Sequence, residues 1–230
     1  MTHTVADSGL SVTKGRTRVR LSRQAIVDAV TELLERDGLD AISTRAVGDA
    51  LAVHPTALYR HFRDMDELVR EAADGILAGL VSDIRSAAPD IDPLAEAGAV
   101  CRALRAVLVS HPGAARVMTS GPSRMPNERA LTEHLLGLLD RAGLSEPETA
   151  RAYHALIELV VGSAAINTPG PGQDQGDEED RHRVWRADYL GVPPAQFPNL
   201  VRFGPQLYPS SAEQFEFGLD LMLAGLRQLT

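Results

Sequence analysis

Cysteine is nearly absent: Cys101 stands alone in 230 residues. That excludes an intrachain disulfide and fits a reducing compartment. Aromatic side chains make up only 4% of the chain, β-branched runs are few, and Ala and Leu dominate. Such a composition favours helix packed on helix over a sheet. No apolar run approaches the roughly 18–20 residues that span a bilayer. No basic start leads into an apolar stretch, so no secretory signal is expected. A cytoplasmic protein without membrane contact is the expectation. There is no nucleophile elbow, phosphate loop or metal-spaced Cys/His set, so neither an enzyme nor a cofactor is expected. A single lysine stands against 22 arginines, which points to a GC-rich coding genome and carries nothing about function.

What is present is apolar and acidic. Hydrophobic residues are 44% of the chain, enough for one sizeable helical body or two domains. The net charge of −8 would argue against a nucleic-acid ligand, but its distribution matters more. Residues 1–70 hold ten basic and ten acidic side chains, and the remaining 13 and 21 lie beyond. The acidic load therefore sits away from the N-terminal segment. Lys14, Arg16, Arg18, Arg20 and Arg23 form a basic cluster before and at the first helix. Two readings stand: a solvated tail, or an arm that reaches DNA phosphates or the minor groove.

Periodicity and capping signals divide the chain. Residues 1–20 are polar and aperiodic and read as a flexible arm. Ser22 is an N-cap, and Ile26, Val30, Leu33 and Leu34 make one apolar stripe that Gly38 closes. Ser43 opens a second, short helix, with Val47, Ala50 and Leu51 inward. Pro55 sits at a first helical position, and a third helix runs through Phe62. Asp64, Asp66 and Glu67 suit the start of a fourth helix, continuous to about Ala87. Further helices are predicted over about 93–110, 113–119, 127–142 and 145–168. Ser145 with Glu148 makes a capping box for the last of these. Residues 169–176 read as a loop, about 177–189 as another helix, and 191–209, with five prolines, as irregular. Ser211 with Gln214 is read as the capping box of a final helix ending near Leu229.

Three short helices over 22–62 are the core of a module that presents a helix to the DNA major groove. The run from Leu21 to Leu68, containing ISTRAVGDALAVHPTALYRHFRDMDEL, resembles the DNA-binding domain of the TetR family. Gly38, then Ser43-Thr44-Arg45, then Leu58-Tyr59-Arg60-His61-Phe62 carry the resemblance. It implies an all-α fold with a flexible arm at 1–20, a helix-turn-helix domain at 21–67, and a helical regulatory and dimerisation domain at 68–230. It also implies the contacts. Thr44 and Arg45 approach phosphate and a base edge, Arg45 being suited to a bidentate guanine contact. Pro55, Thr56 and Ala57 form the first turn of the recognition helix. Tyr59 and His61 reach phosphates, and Arg60 reaches base or phosphate. For Tyr59 plain packing stays open, and for His61 a structural role. Leu58 and Phe62 read as core. Where the family commonly has lysine this chain has Met65, so Arg63 is expected to substitute.

The second half resembles the tetracycline-repressor branch of that family, through SHPGAARVM and FEFGLDLMLAGL. That branch holds a metal-chelated drug with a His and a Glu. Met118 and Ile166 stand in those places, and neither suits a hard cation. Val81 and Val100 stand where polar drug contacts would be. The resemblance therefore implies an apolar pocket with no metal, unless these four are ordinary core. His154 and Glu158, four apart on one helix, lack an evident third ligand. Helix eight and the last helix are the most apolar, the last nearly all round, so they predict a two-fold dimer and hence a palindromic operator, the alternative being a monomer core. The leading expectation is a repressor released from palindromic double-stranded DNA by a small apolar effector. The alternatives are a protein that kept the fold and lost DNA recognition, and an activator.

Overall fold

The structure is a computed structural model, and it describes residues 21–86, 92–166 and 178–230. The basic arm, most of the Pro89–Pro93 linker and the 169–176 loop lie outside the described residues. Among the described residues every regular element is helical.

Local capping sets the first elements. Ser22 accepts from the Ala25 amide at 3.1 Å and starts α1, Arg23–Asp37, and Gly38 ends it at φ 78°. Ser43 accepts from Ala46 at 3.1 Å and starts α2, Thr44–Leu51. Val47 faces inward as expected, but Gly48 is buried and Ala50 is exposed. The reason is close approach: a side chain at 48 would press on the Val53 carbonyl and on Pro55. The third element is a 3-10 helix, Pro55–Arg60. Pro55 has no N–H to give, and Asp64 opens the next helix four residues after Arg60. That leaves room only for a tight turn.

The predicted fourth helix is two helices. α3, Met65–Gly75, begins on Asp64, whose side chain accepts from the Glu67 amide at 2.7 Å. α4, Ala78–Ser86, follows a break at 76–77. The carbonyl of Asp74 is diverted from the α-helical ladder: it accepts from the Leu77 amide at 3.0 Å and from Asn127 Nδ2 at 3.2 Å.

α5, Pro93–Ser110, is capped by Asp92. α6, Pro112–Met118, and α7, Pro126–Arg141, precede α8, Glu146–Ile166. The stretch read as irregular instead carries α10, Pro198–Phe203, and a 3-10 turn, Gly204–Gln206. These pack on α9, Glu178–Leu190, and the Tyr208 that follows them meets the Trp185 ring of α9 at 5.1 Å between centroids and stacks on Tyr189. Prolines there start turns of helix, as first-turn positions allow. α11, Ser211–Leu226, is capped by Ser210 and Glu213, one residue earlier than expected.

Two apolar cores result. Ile26, Val30, Leu34, Val47, Leu58, Phe62 and Leu68 form the first, closed by Ala114 and Val117 of α6. Leu104, Leu108, Leu135, Leu156, Val160, Phe215 and Leu219 are in the second. Each fully buried leucine contributes about 1.5–3 kcal/mol. Ile76, at the α3–α4 break, packs against both. Among the described residues no helix is long and apolar enough to cross a membrane.

Candidate nucleic-acid interface and effector cavity

The outward face of the helix-turn-helix is built by what its inward face buries. Val47, Leu58 and Phe62 point into the first core, which leaves Thr56, Tyr59 and Arg60 facing out. The Arg45 side chain is 90% exposed, with one long ion pair, to Asp49 at 3.8 Å. Thr56, Tyr59 and Arg60 are exposed on the 3-10 helix, while Thr44, Pro55, Ala57 and His61 are half-buried. The expected contact residues thus share one segment, but not one degree of access. Arg63 is exposed and pairs with Asp64 at 2.9 Å, which raises its guanidinium above the ordinary arginine value. Met65 packs against the first core.

One residue of this face escapes the motif reading. His54 is the N-cap of the 3-10 helix, with its ring nitrogen 2.9 Å from the Thr56 hydroxyl and 3.4 Å from the Thr56 amide. Its position immediately before Pro55 was the available signal, because capping requires an acceptor there. Behind the face, Arg23 ties α1 to α3. It bonds Glu67 at 2.8 Å, Glu71 and the His61 carbonyl, and lies 4.1 Å over the Phe62 ring. Both carboxylates push the Arg23 guanidinium further into its charged form. These bonds fix the 3-10 helix on its scaffold.

Two links join this unit to the body. Gly113, at the start of α6, lies against Leu34, and a side chain there would collide with the Leu34 carbonyl. Asp74 reaches the start of α7, where it accepts from the amides of Asn127 at 3.1 Å and Glu128 at 2.8 Å and from Ser123 Oγ at 3.3 Å.

The body encloses an open cavity of about 630 Å³. Leu104, Leu131, Ile157 and Val161 give it an apolar wall. Tyr153 Oη and Thr132 Oγ1, 2.7 Å apart, form a polar rung on it, with Thr132 donating to Glu128 at 3.0 Å. Burial pushes the Tyr153 hydroxyl above its ordinary range. His154 and Glu158 line the same cavity. Of the four sequence candidates only Met118 lines it. Val81 borders a smaller cavity, Val100 is core, and Ile166, at the end of α8, is 84% exposed. Among the described residues no group of three or more His, Cys, Asp or Glu is placed to hold a metal ion.

Comparison with known proteins places this architecture. Residues 94–230 match the family described as tetracyclin repressor-like, C-terminal domain, and residues 26–72 match bacterial regulatory proteins, tetR family. A curated HTH-type transcriptional regulator of Saccharopolyspora erythraea is 29% identical over 213 residues, covering 93% of this chain and 87% of its own. A solved structure of a possible TetR family transcriptional regulator from Streptomyces coelicolor A3(2) superposes with TM-score 0.77 at 30% identity, over 91% of this chain and 100% of that one. The Streptomyces coelicolor TetR family protein ActR, solved in complex with actinorhodin, gives TM-score 0.77 at 26% identity, over 90% and 97%.

Proposed function

The chain belongs to the TetR family of DNA-binding transcriptional regulators, and from that premise we propose that it is a homodimeric repressor. It binds a palindromic operator and leaves it when a small, largely apolar effector fills the 630 Å³ cavity. The observation that carries this reading is the bond from the cavity rim to α3: Ser123 lines the cavity and donates to Asp74. An effector that displaces the 118–123 segment therefore moves a hydrogen-bond partner of the helix that carries the DNA-reading unit. Only an effector with higher affinity for the released state shifts the balance, by typically ~1–3 kcal/mol.

Arg45 reads a base edge, with Thr44, Thr56, Tyr59, Arg60, His61 and Arg63 on phosphates or bases and Pro55 and Ala57 in apolar contact. One feature supports dimerisation. α8 and α11 pack together and expose Ile166, Phe217 and Leu221, with Phe217 62% exposed. Large apolar side chains exposed on packed helices are a mark of an interface. A two-fold dimer pairs with a two-fold operator. The effector is read as metal-free, because Met118 offers a thioether and Ile166 stands apart from the cavity. The division at residue 67 belongs to the same reading, although Ala114 and Val117 also complete the first core.

Selection of DNA from a random pool by the purified chain, at near-physiological salt, tests this. An enriched palindrome is the expected result. No enrichment from folded, dimeric protein overturns it.

A further inference from the structure

A second cavity, of about 400 Å³, lies at the joint between the DNA-reading unit and the body. One wall is α3, with Asp66, Val69, Arg70 and Ala73; Leu39 and residues of the 117–124 segment supply the rest. Met118, Gly121, Pro122 and Ser123 border both this cavity and the larger one. A single thickness of chain therefore separates the two.

The lining is of mixed character. Leu39, Val69 and Val117 are apolar, while two basic residues, Arg70 and Arg124, stand beside one acidic residue, Asp66. Among the described residues neither guanidinium takes part in a hydrogen bond or ion pair, a state they share with the exposed Arg60 and Arg129 but here combined with a cavity wall. The loop beside them has a defined shape. Gly121 has φ 119° and Arg124 φ 60°, a left-handed conformation that disfavours an arginine. Three bonds keep it there: Arg124 N–H to Glu128 at 3.1 Å, Met125 N–H to Ser123 Oγ at 3.2 Å, and Ser123 Oγ to Asp74 at 3.3 Å.

We propose that this junction cavity is a binding site for a small organic anion, its apolar body on Leu39, Val69 and Val117 and its anionic head between Arg70 and Arg124. Guanidinium groups bind carboxylate, phosphate and sulfonate heads through charge-assisted, fork-like hydrogen bonds. An apolar wall beside them selects an anion that carries a hydrophobic body over a bare inorganic one. The site is separate from the effector cavity, and the inference stands whether or not that cavity binds an effector.

Titration of the full chain with anilinonaphthalene sulfonate, and in parallel with neutral phenylnaphthylamine, tests it by fluorescence. In the Arg70→Gln/Arg124→Gln variant the sulfonate should bind about tenfold or more weakly, the size of one lost charge-assisted bond, and the neutral probe about as before. Ser120→Trp, which fills only the junction cavity, should weaken the sulfonate too, and Ile157→Trp, in the larger cavity, should leave it bound. Sulfonate affinity unchanged in the double-glutamine variant, or lost only in Ile157→Trp, overturns the proposal.

Discussion

Asp74 of α3 accepts the backbone N–H of Glu128 of α7 at 2.8 Å, across 54 positions of sequence. A second bond, from the Asn127 amide, makes this carboxylate the cap of a helix to which it does not belong. The side chain is 4% exposed. Asp74→Ala therefore strands two amides at the start of α7, where unpaired donors cost about 1–3 kcal/mol in all. A urea midpoint lowered by that amount is expected. A loss under about 0.5 kcal/mol would mean the cap contributes little.

Gly113 bears on the other link. Any side chain there meets the Leu34 backbone, which cannot rotate away. Gly113→Ala should force α6 off α1 and lower the melting temperature, at a cost of about 1–3 kcal/mol, as overpacking does. A thermal melt that matches the parent would show the helices separate freely.

Arg45 is the most exposed of the DNA-facing candidates with a described ion pair. Arg45→Ala should leave stability unchanged and weaken operator binding by about 1–3 kcal/mol, with relaxed preference at one base position. Binding assays across single-base operator variants check this. Uniform weakening across all of them would assign Arg45 to phosphate instead.

Glu35 gives a pH signature. Burial lifts its carboxyl above the ordinary glutamate value of 4.5, against the pull of His111 and the amides of Ala114 and Gly113. One oxygen is buried without a partner. A raised folded-state value means the folded protein holds that proton more tightly than the unfolded chain. Its contribution to stability is complete below 4.5 and is lost as pH rises through the folded value. Glu35→Gln should therefore be more stable than the parent at neutral pH, with the gap closing on acidification. Denaturation midpoints from pH 4 to 7 measure it, and a gap that widens toward acid sinks the assignment.

Cys101 is fully buried, and burial pushes its thiol up to about 12. The thiolate is the reactive species. Ellman's reagent should label the native chain far more slowly than the denatured one; equal rates would place the thiol at the surface.

Local chemistry was legible and distant chemistry was not. Ser22, Ser43 and Asp64 each cap a helix through a bond three residues away, so the sequence alone located those starts. Ser210–Glu213 and Ser211–Gln214 offer the same spacing, and only backbone geometry selects the first. The apolar stripe of α1 and the buried Leu58 and Phe62 followed from periodicity, because a helix facing one core has one inward side.

The sequence by itself determined an all-helical fold and the helix-turn-helix. Periodicity, caps and motif spacing act within a few residues and need no partner. Only the tertiary structure decided the break between α3 and α4, because Asp74 is drawn from its own helix by Asn127 and Glu128, more than fifty residues on. It also decided which residues line the cavities. A cavity is the space that several packed helices leave between them, and no single helix encodes it. Hence Ile157 and Tyr153 line the large one, while Val100 is core.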